Sequence, residues 1–68
     1  MYRNRLHKAL RERRMSPERL AQLASVPETT ISRMIKDPAY MPPASTLAKI
    51  ARALQVPMRD LLEEIPDR

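Results

Sequence analysis

The positions of its prolines most constrain how this chain can fold, because a proline begins or ends a helix but is not accommodated inside one. The 68 residues include seven prolines and no glycine. Prolines at positions 17, 27, 42/43 and 57 each stand at the start of a segment whose apolar residues recur at helical spacing. The sequence therefore predicts an all-α chain of five short helices. They cover residues 2–14, two segments within 16–36, 44–54 and 58–64, with a proline-rich loop at 37–43.

The central segment, Ser16–Met34, predicts two short helices with a tight corner between Ala24 and Pro27. Ser16 is a favourable N-cap, and Pro17 takes a first helical position, where a missing N–H costs nothing. Six apolar residues can close onto one core: Leu20, Ala21, Leu23, Val26, Ile31 and Met34. Five others are predicted to face outward from the second helix: Glu28, Thr29, Thr30, Ser32 and Arg33. Two helices joined by such a turn form a helix-turn-helix, whose second helix enters the DNA major groove, so the leading hypothesis is a DNA-binding module.

The flanking segments carry apolar stripes that would complete the core around this pair of helices. The stripes are Leu6, Ala9 and Leu10 in the first helix, Leu47, Ile50, Ala51 and Leu54 in the fourth, and Met58, Leu61 and Leu62 in the fifth. Met15 is predicted to pack inward, whereas His7 lies off its stripe and should face solvent. In the loop, Tyr40 and Met41 either fold back over the core or form a dimer contact, and the sequence favours neither.

Composition argues against several kinds of site. The chain has no cysteine and one histidine, so disulfides and thiolate metal sites are ruled out and a zinc site is not expected. It has no Gly-rich phosphate loop and no arrangement typical of acid–base catalysis, so neither an enzyme nor a cofactor is predicted. No apolar run approaches the roughly 18 residues of a membrane span, and the basic N-terminal segment lacks the apolar stretch of a signal peptide. We expect a soluble cytoplasmic protein with one domain over residues 1–68 and no membrane partner.

The positive charge is concentrated in one half of the chain. The net charge is +5, and residues 1–36 hold nine Lys and Arg against three Glu, whereas residues 37–68 hold four basic against five acidic residues. The half that contains the predicted helix pair therefore carries all of the positive excess. A basic half indicates a polyanionic partner, with nucleic acid first and an anionic membrane second, although a merely solubilising surface is the alternative.

The arrangement of these segments resembles the phage-repressor/Cro type of helix-turn-helix, the XRE family, from about Leu6 to Leu62. The matching pieces are Leu-Ala at 20–21, VPETTISRM at 26–34, TLAKIARAL at 46–54 and VPMRDLL at 56–62. The resemblance implies a compact, lambda-repressor-like bundle of five helices. It also implies a Cro-like protein that binds double-stranded operator DNA, usually as a dimer.

By position, the resemblance also assigns roles to single residues. Glu28, Thr29 and Arg33 match the base-reading positions, with Arg33 suited to gripping a guanine edge. Thr30 and Ser16 match phosphate-binding positions, while Arg14, Arg19 and Lys36 would add charge along the DNA backbone. Pro17 stands where the family usually has a phosphate-binding Gln, and Ser32 belongs to the same outward face. A dimer surface is predicted at Tyr40, Met41, Met58, Leu62 and Ile65.

The chain also departs from the family pattern at two kinds of position. Where the family often has glycine after a helix, this chain has Arg14, Ser25, Asp37 and Gln55, so some of these corners are expected to use other turn geometry. Where the family often pairs Arg with Glu, this chain has Leu10 and Ile35, which are predicted to touch.

Two functional hypotheses follow. The first is a sequence-specific transcriptional regulator, most simply a repressor that reads a palindromic operator as a homodimer. The predicted domain would leave no room for a separate effector domain, so no small-molecule ligand is expected. The second is an antitoxin or anti-repressor that uses the same fold to bind a protein partner. Binding to a partner chain that survives high salt and does not need Arg33 would favour the second hypothesis.

Overall fold

In the computed structural model, which describes residues 1–66, the chain forms four α-helices, one 3₁₀-helix and a two-stranded antiparallel sheet. The α-helices are α1 (Leu6–Arg13), α2 (Pro17–Ala24), α3 (Glu28–Lys36) and α4 (Ala44–Leu54). The strands are β1 (Tyr2–Asn4) and β2 (Leu62–Glu64), and the 3₁₀-helix spans Met58–Leu61. The protein is mostly helical, as predicted, but the expectation of five helices is wrong. The last two residues of the predicted domain lie outside the described residues.

Helices α2 and α3 form the predicted helix-turn-helix. The Ser16 hydroxyl accepts a hydrogen bond from the Arg19 N–H at 3.1 Å, and Pro17 is the first residue of α2, so the predicted N-cap is confirmed. Helix α2 ends at Ala24 with Ser25 as its C-cap, and α3 begins at Glu28, so three residues separate the two helices. Within the turn between the two helices, Val26 is buried in the core. The corner therefore lies where the sequence predicts it.

Three helices end in a left-handed residue that is not glycine: Arg14, Ser25 and Gln55, with φ of 53°, 56° and 59°. The expectation that some of the four corners use other turn geometry is met at Asp37, which is extended with φ of −131°, and not at these three. After each left-handed residue, the next N–H donates to the carbonyl five residues earlier, as in the Schellman motif, at 3.0 to 3.1 Å. The residues that donate are Met15, Val26 and Val56, and all three are apolar and pack on the core. These bonds and contacts offset the cost of about 1–2 kcal/mol for a left-handed residue with a Cβ.

The core is formed by apolar side chains from α1 to the 3₁₀-helix. Its buried members are Leu6, Leu10, Leu20, Ala21, Ala24, Val26, Ile31, Met34, Leu47, Ile50, Ala51, Leu54 and Leu61. Leu23, which was predicted to join them, is 49% exposed. At about 100° per residue, Leu23 lies roughly 110° from the centre of the face that Leu20, Ala21 and Ala24 bury. The prediction that Leu23 belongs to the buried face of α2 is therefore wrong, since only Leu20, Ala21 and Ala24 form that face.

The two strands join the beginning and the end of the described chain. Tyr2 pairs with Glu64, Arg3 with Glu63 and Asn4 with Leu62. Two further backbone hydrogen bonds flank the ladder, from the Ile65 N–H to the Met1 carbonyl at 2.7 Å and from the Arg5 N–H to the Leu61 carbonyl at 2.8 Å. The predicted first helix (2–14) therefore begins only at Leu6. The predicted fifth helix (58–64) is a 3₁₀-helix followed by a strand, because its backbone pairs with β1 instead of continuing as a helix.

Helix α1 packs against α3, which bears on the predicted contact between Leu10 and Ile35. Leu10 is 4% exposed within the core, and Ile35 is partly buried against the same core. Ile35 is thus not held away in solvent, and the direct contact between the two side chains stays a prediction. Tyr40 and Met41 are also partly buried against the core, which agrees with the interpretation that they fold back over it.

Candidate nucleic-acid interface

One exposed face of α3 brings together most of the residues predicted to read DNA. A shallow groove on this face is lined by Glu28, Thr29, Ser32, Arg33, Lys36 and Asp37. The opposite face of the helix is anchored by Ile31 and Met34, both with no exposed surface. Because residues three and four apart share a helical face, these two anchors force the groove residues outward. Five of the ten residues predicted to contact DNA therefore lie in one groove. Arg19, predicted to add charge along the DNA backbone, is exposed in the first turn of α2.

The exposure of these side chains differs along α3. Glu28, Thr29, Arg33 and Lys36 are exposed, whereas Thr30 and Ser32 are half-buried. The sequence predicts that five residues face outward from this helix: Glu28, Thr29, Thr30, Ser32 and Arg33. The structure differs at Thr30 and Ser32, which are only partly exposed. Thr30 lies in the first turn of α3, and its N–H donates to the Pro27 carbonyl at 3.0 Å. It does not line the groove.

The remaining predicted DNA contacts lie around the start of α2. Arg14 is exposed in its left-handed cap, Ser16 is exposed, and Pro17 is half-buried. The Ser16 hydroxyl caps α2 by accepting a hydrogen bond, and its hydrogen stays available to donate to a phosphate oxygen. These three residues form a second group at the N-terminal end of α2, separate from the residues that line the groove.

The groove holds charges of both signs. Arg33 and Lys36 are basic, whereas Glu28 and Asp37 are acidic. The Asp37 carboxylate accepts a hydrogen bond from the Ala39 N–H at 3.1 Å, which closes a local turn in the loop after α3. Glu28 stands in the first turn of α3, where the helix dipole favours a negative charge. The basic side chains are thus concentrated at the C-terminal end of the groove.

Arg33 is stacked on an aromatic ring that sequence reasoning did not assign to it. Its guanidinium carbon lies 4.2 Å from the centroid of the Tyr40 ring. This is within the distance of about 6 Å at which a cation and a π face attract each other. Tyr40 is half-buried and comes from the loop between α3 and α4. A ring from outside the helix-turn-helix therefore borders the groove.

The loop that carries Tyr40 is held by Asn4, a residue that sequence reasoning missed. Asn4 is 6% exposed, and its side-chain amide donates to the Tyr40 carbonyl at 2.9 Å and to the carbonyls of Pro38 and Asp37 at 3.3 and 3.4 Å. Its side-chain oxygen accepts from the Leu6 N–H at 3.2 Å, at the start of α1. The one local signal was an Asn just before a helix, where such residues are favoured. That signal says nothing of the loop.

The residues predicted to form a dimer surface are all partly used by the protein's own fold. Tyr40, Met41, Met58 and Leu62 pack against the core and are half-buried, and Ile65 is half-buried after β2. The large apolar side chains that are most exposed are Met1, Tyr2 and Leu23. Dimer formation stays a prediction.

Residues 1–66 contain no group of three or more His, Cys, Asp or Glu placed to hold a metal ion. No helix within the same residues is long and apolar enough to cross a membrane.

A helix pair with a three-residue turn, whose second helix presents polar and basic side chains in a groove, defines a helix-turn-helix protein. The protein-family model of the Cro/C1-type helix-turn-helix DNA-binding domain matches residues 5–67. The chain therefore belongs to this family. The predicted resemblance is confirmed, and DNA is the partner that this family indicates.

A solved structure shows the same fold. It is titled "Crystal structure of a putative DNA-binding protein from Bacteroides fragilis". The two chains are 32% identical and superpose with a TM-score of 0.81, covering 93% of this chain and all of the other. A comparison with curated protein sequences finds no match.

Proposed function

We propose that this protein is a sequence-specific transcriptional regulator, most simply a repressor, that reads double-stranded DNA with α3. The observation that carries the proposal is the groove on α3, where Glu28, Thr29, Ser32, Arg33 and Lys36 lie together above a fully buried anchor. Membership of the Cro/C1-type family supports DNA as the ligand. We propose that residues 1–68 act as one DNA-binding domain.

Four of the groove residues have a role that their chemistry fits. Arg33 would donate two hydrogen bonds to O6 and N7 of guanine, which is worth about 1–3 kcal/mol in discrimination. Thr29 would meet a thymine methyl group, and Glu28 would accept from N4 of cytosine. Lys36, at the end of α3, would contact the phosphate backbone, which adds affinity without sequence information.

The group at the start of α2 would fix the orientation of the domain on the duplex. Arg14 would neutralise a phosphate, and the Ser16 hydroxyl would donate to a phosphate oxygen. Thr30, which lies in the first turn of α3, would also contact a phosphate. Pro17 lacks the side-chain amide with which the family's Gln binds phosphate, so this contact is either lost or left to Ser16 and the neighbouring backbone.

We also propose that the protein binds a palindromic operator as a homodimer. Two helix-turn-helix units read half-sites about 34 Å apart, one turn of B-DNA, when they are related by a two-fold axis. The half-buried side chains at Met41, Met58, Leu62 and Ile65, with Tyr40, would supply the dimer surface.

The experiment that tests the proposal is selection of bound DNA from a random pool, followed by a titration of affinity against salt. We expect an enriched palindrome whose affinity falls steeply with salt. Arg33→Ala should relax specificity at one base per half-site, whereas Lys36→Ala should weaken all sequences alike. Arg59→Ala, which removes an exposed arginine outside the groove, is the matched control and should change neither. A lack of enrichment, with equally weak binding to any DNA, would refute the proposal and favour a protein-binding role.

A further inference from the structure

The chain contains two aromatic residues, Tyr2 and Tyr40, and one of them lies under the arginine that we expect to read a base. Tyr2 is 54% exposed in β1, whereas Tyr40 is partly buried with its side chain against the core. A ring held by the core offers a fixed face to the solvent-exposed side chain above it. Arg33, with its guanidinium carbon 4.2 Å from the ring centroid, uses that face.

We propose that Tyr40 is a positioning residue for Arg33 and thereby a determinant of base specificity. The inference rests on the proposed function, since it assumes that Arg33 reads DNA. An arginine side chain has many rotamers, and binding a base requires it to adopt one of them. Stacking on Tyr40 restricts the guanidinium before DNA arrives. It also leaves the N–H groups on the edge of the guanidinium free for O6 and N7 of guanine, because stacking uses only the flat face.

The position of the Tyr40 ring is itself fixed by hydrogen bonds to both sides of its own backbone. The Tyr40 N–H donates to the Asp37 carbonyl at 2.9 Å, and the Tyr40 carbonyl accepts from the Asn4 amide, also at 2.9 Å. Asp37 further orders the loop by accepting from the Ala39 N–H. These hydrogen bonds therefore hold the backbone that carries the ring in one position beside α3. A preorganised contact of this kind contributes to affinity by lowering the cost of ordering Arg33 on binding.

This role predicts a specific pattern of effects. The Tyr40 ring is uncharged, so its removal should leave the number of neutralised phosphates, and hence the salt dependence of binding, unchanged. The loss should appear at the one base that Arg33 reads. A residue that merely supports the fold or the dimer surface would instead weaken binding to all sequences alike.

The test compares Tyr40→Leu, Tyr40→Phe and Tyr2→Leu, using dissociation constants for the selected site and for the same site with the Arg33-dependent base replaced. We expect Tyr40→Leu to lower discrimination at that base by about threefold to tenfold, without changing the salt slope. Tyr40→Phe, which keeps the π face, should stay within about twofold of the unaltered protein, and so should Tyr2→Leu. In the Arg33→Ala background, Tyr40→Leu should have no further effect, because the two changes remove the same interaction.

A second measurement on the free protein reports the stacking directly. We expect the Arg33 side-chain proton resonances to show a ring-current shift in the unaltered protein and in Tyr40→Phe, and to lose it in Tyr40→Leu. Thermal unfolding of each variant shows whether it is folded. If Tyr40→Leu does not fold, Tyr40→Met replaces it, because the flexible thioether fills irregular apolar spaces.

The outcomes separate this inference from the proposed function. An unaltered protein that selects no site refutes the proposed function, and with it this role for Tyr40. A protein that selects a site, while its folded Tyr40→Leu variant keeps full discrimination, refutes the role of Tyr40 alone. The role is also refuted if Tyr40→Phe loses as much discrimination as Tyr40→Leu, because the hydroxyl and not the ring face would then be responsible.

Discussion

Replacing Asn4 with alanine should destabilise the protein far more than its position near the chain start suggests. The Asn4 side chain joins three parts of the fold: β1, the first turn of α1 and the loop after α3. Alanine keeps the strand backbone and its hydrogen bonds, including the one from the Asn4 N–H to the Pro38 carbonyl at 2.7 Å. The substitution therefore isolates the contribution of the side-chain amide.

The expected loss follows from the bonds that disappear. The bond to the Tyr40 carbonyl at 2.9 Å is short, and those to the carbonyls of Pro38 and Asp37 are weaker at 3.3 and 3.4 Å. A typical hydrogen bond contributes about 0.5–1.5 kcal/mol net, and a buried N–H left without a partner, here that of Leu6, costs about 1–3 kcal/mol. We expect a loss of about 2–4 kcal/mol. A chain of 68 residues has a total stability of only about 3–10 kcal/mol.

Urea unfolding followed by circular dichroism measures this loss, and in thermal unfolding it should lower the midpoint by about 10 °C or more. His7→Ala, which removes an exposed side chain in α1, is the control and should stay within about 0.5 kcal/mol. Asn4→Asp has nearly the same shape but places a carboxylate oxygen against the Tyr40 carbonyl. It should be at least as destabilising at neutral pH and recover as the pH falls, because the protonated acid can again donate. A loss within 0.5 kcal/mol for Asn4→Ala, or a stable Asn4→Asp at neutral pH, would contradict this account.

Five further substitutions test the fold, each by the shift in its urea midpoint. Ser25→Gly should gain about 0.5–1 kcal/mol by relieving a left-handed residue with a Cβ, whereas Ser45→Gly within α4 should lose a similar amount. Ser16→Ala should lose about 1 kcal/mol with the N-cap, and no change there would mean that the cap is not formed in solution. Leu61→Ala should lose about 2–5 kcal/mol, because Leu61 has no exposed surface. Leu23→Gln should change stability by less than 0.5 kcal/mol, and a larger loss would place Leu23 in the core after all.

The helices that the sequence predicts well are those with local signals at their ends. Ser16 and Pro17 mark the start of α2, and the prolines at 42/43 mark the start of α4, whose predicted range of 44–54 agrees with the structure. The outward face of α3 is likewise predictable, because the buried pair Ile31 and Met34 sets the rotation of the helix.

The helix ends show where a local rule was applied incompletely. The penalty for a left-handed residue such as Ser25 argued for another kind of turn. The Schellman motif depends equally on the residue that follows, and Val26 provides both the hydrogen bond and the apolar contact. An apolar residue directly after a helix end is thus the signal that outweighed the absence of glycine.

The features that could not be predicted all depend on contacts between distant parts of the chain. Strand β2 carries no strand pattern of its own and exists because β1 pairs with it. The loop carbonyls that accept hydrogen bonds from the Asn4 amide lie 33 to 36 residues further along the chain. Tyr40 could be placed on the core or on a dimer surface from the sequence, but its contact with Arg33 depends on the path of the loop.

The pairing of β1 with β2 has a consequence for the order in which the protein folds. Contacts within the helices and between α2 and α3 close short loops, whereas the ladder must close a loop of about sixty residues, whose entropic cost is larger. We expect the helix-turn-helix to form early and the ladder late, so that substitutions in β2 speed unfolding with little effect on the folding rate. During synthesis, β1 and Asn4 leave the ribosome before β2, and β1 stays unpaired until β2 follows. We therefore expect the loop that presents Tyr40 to Arg33 to reach its final form only after β2 has paired with β1.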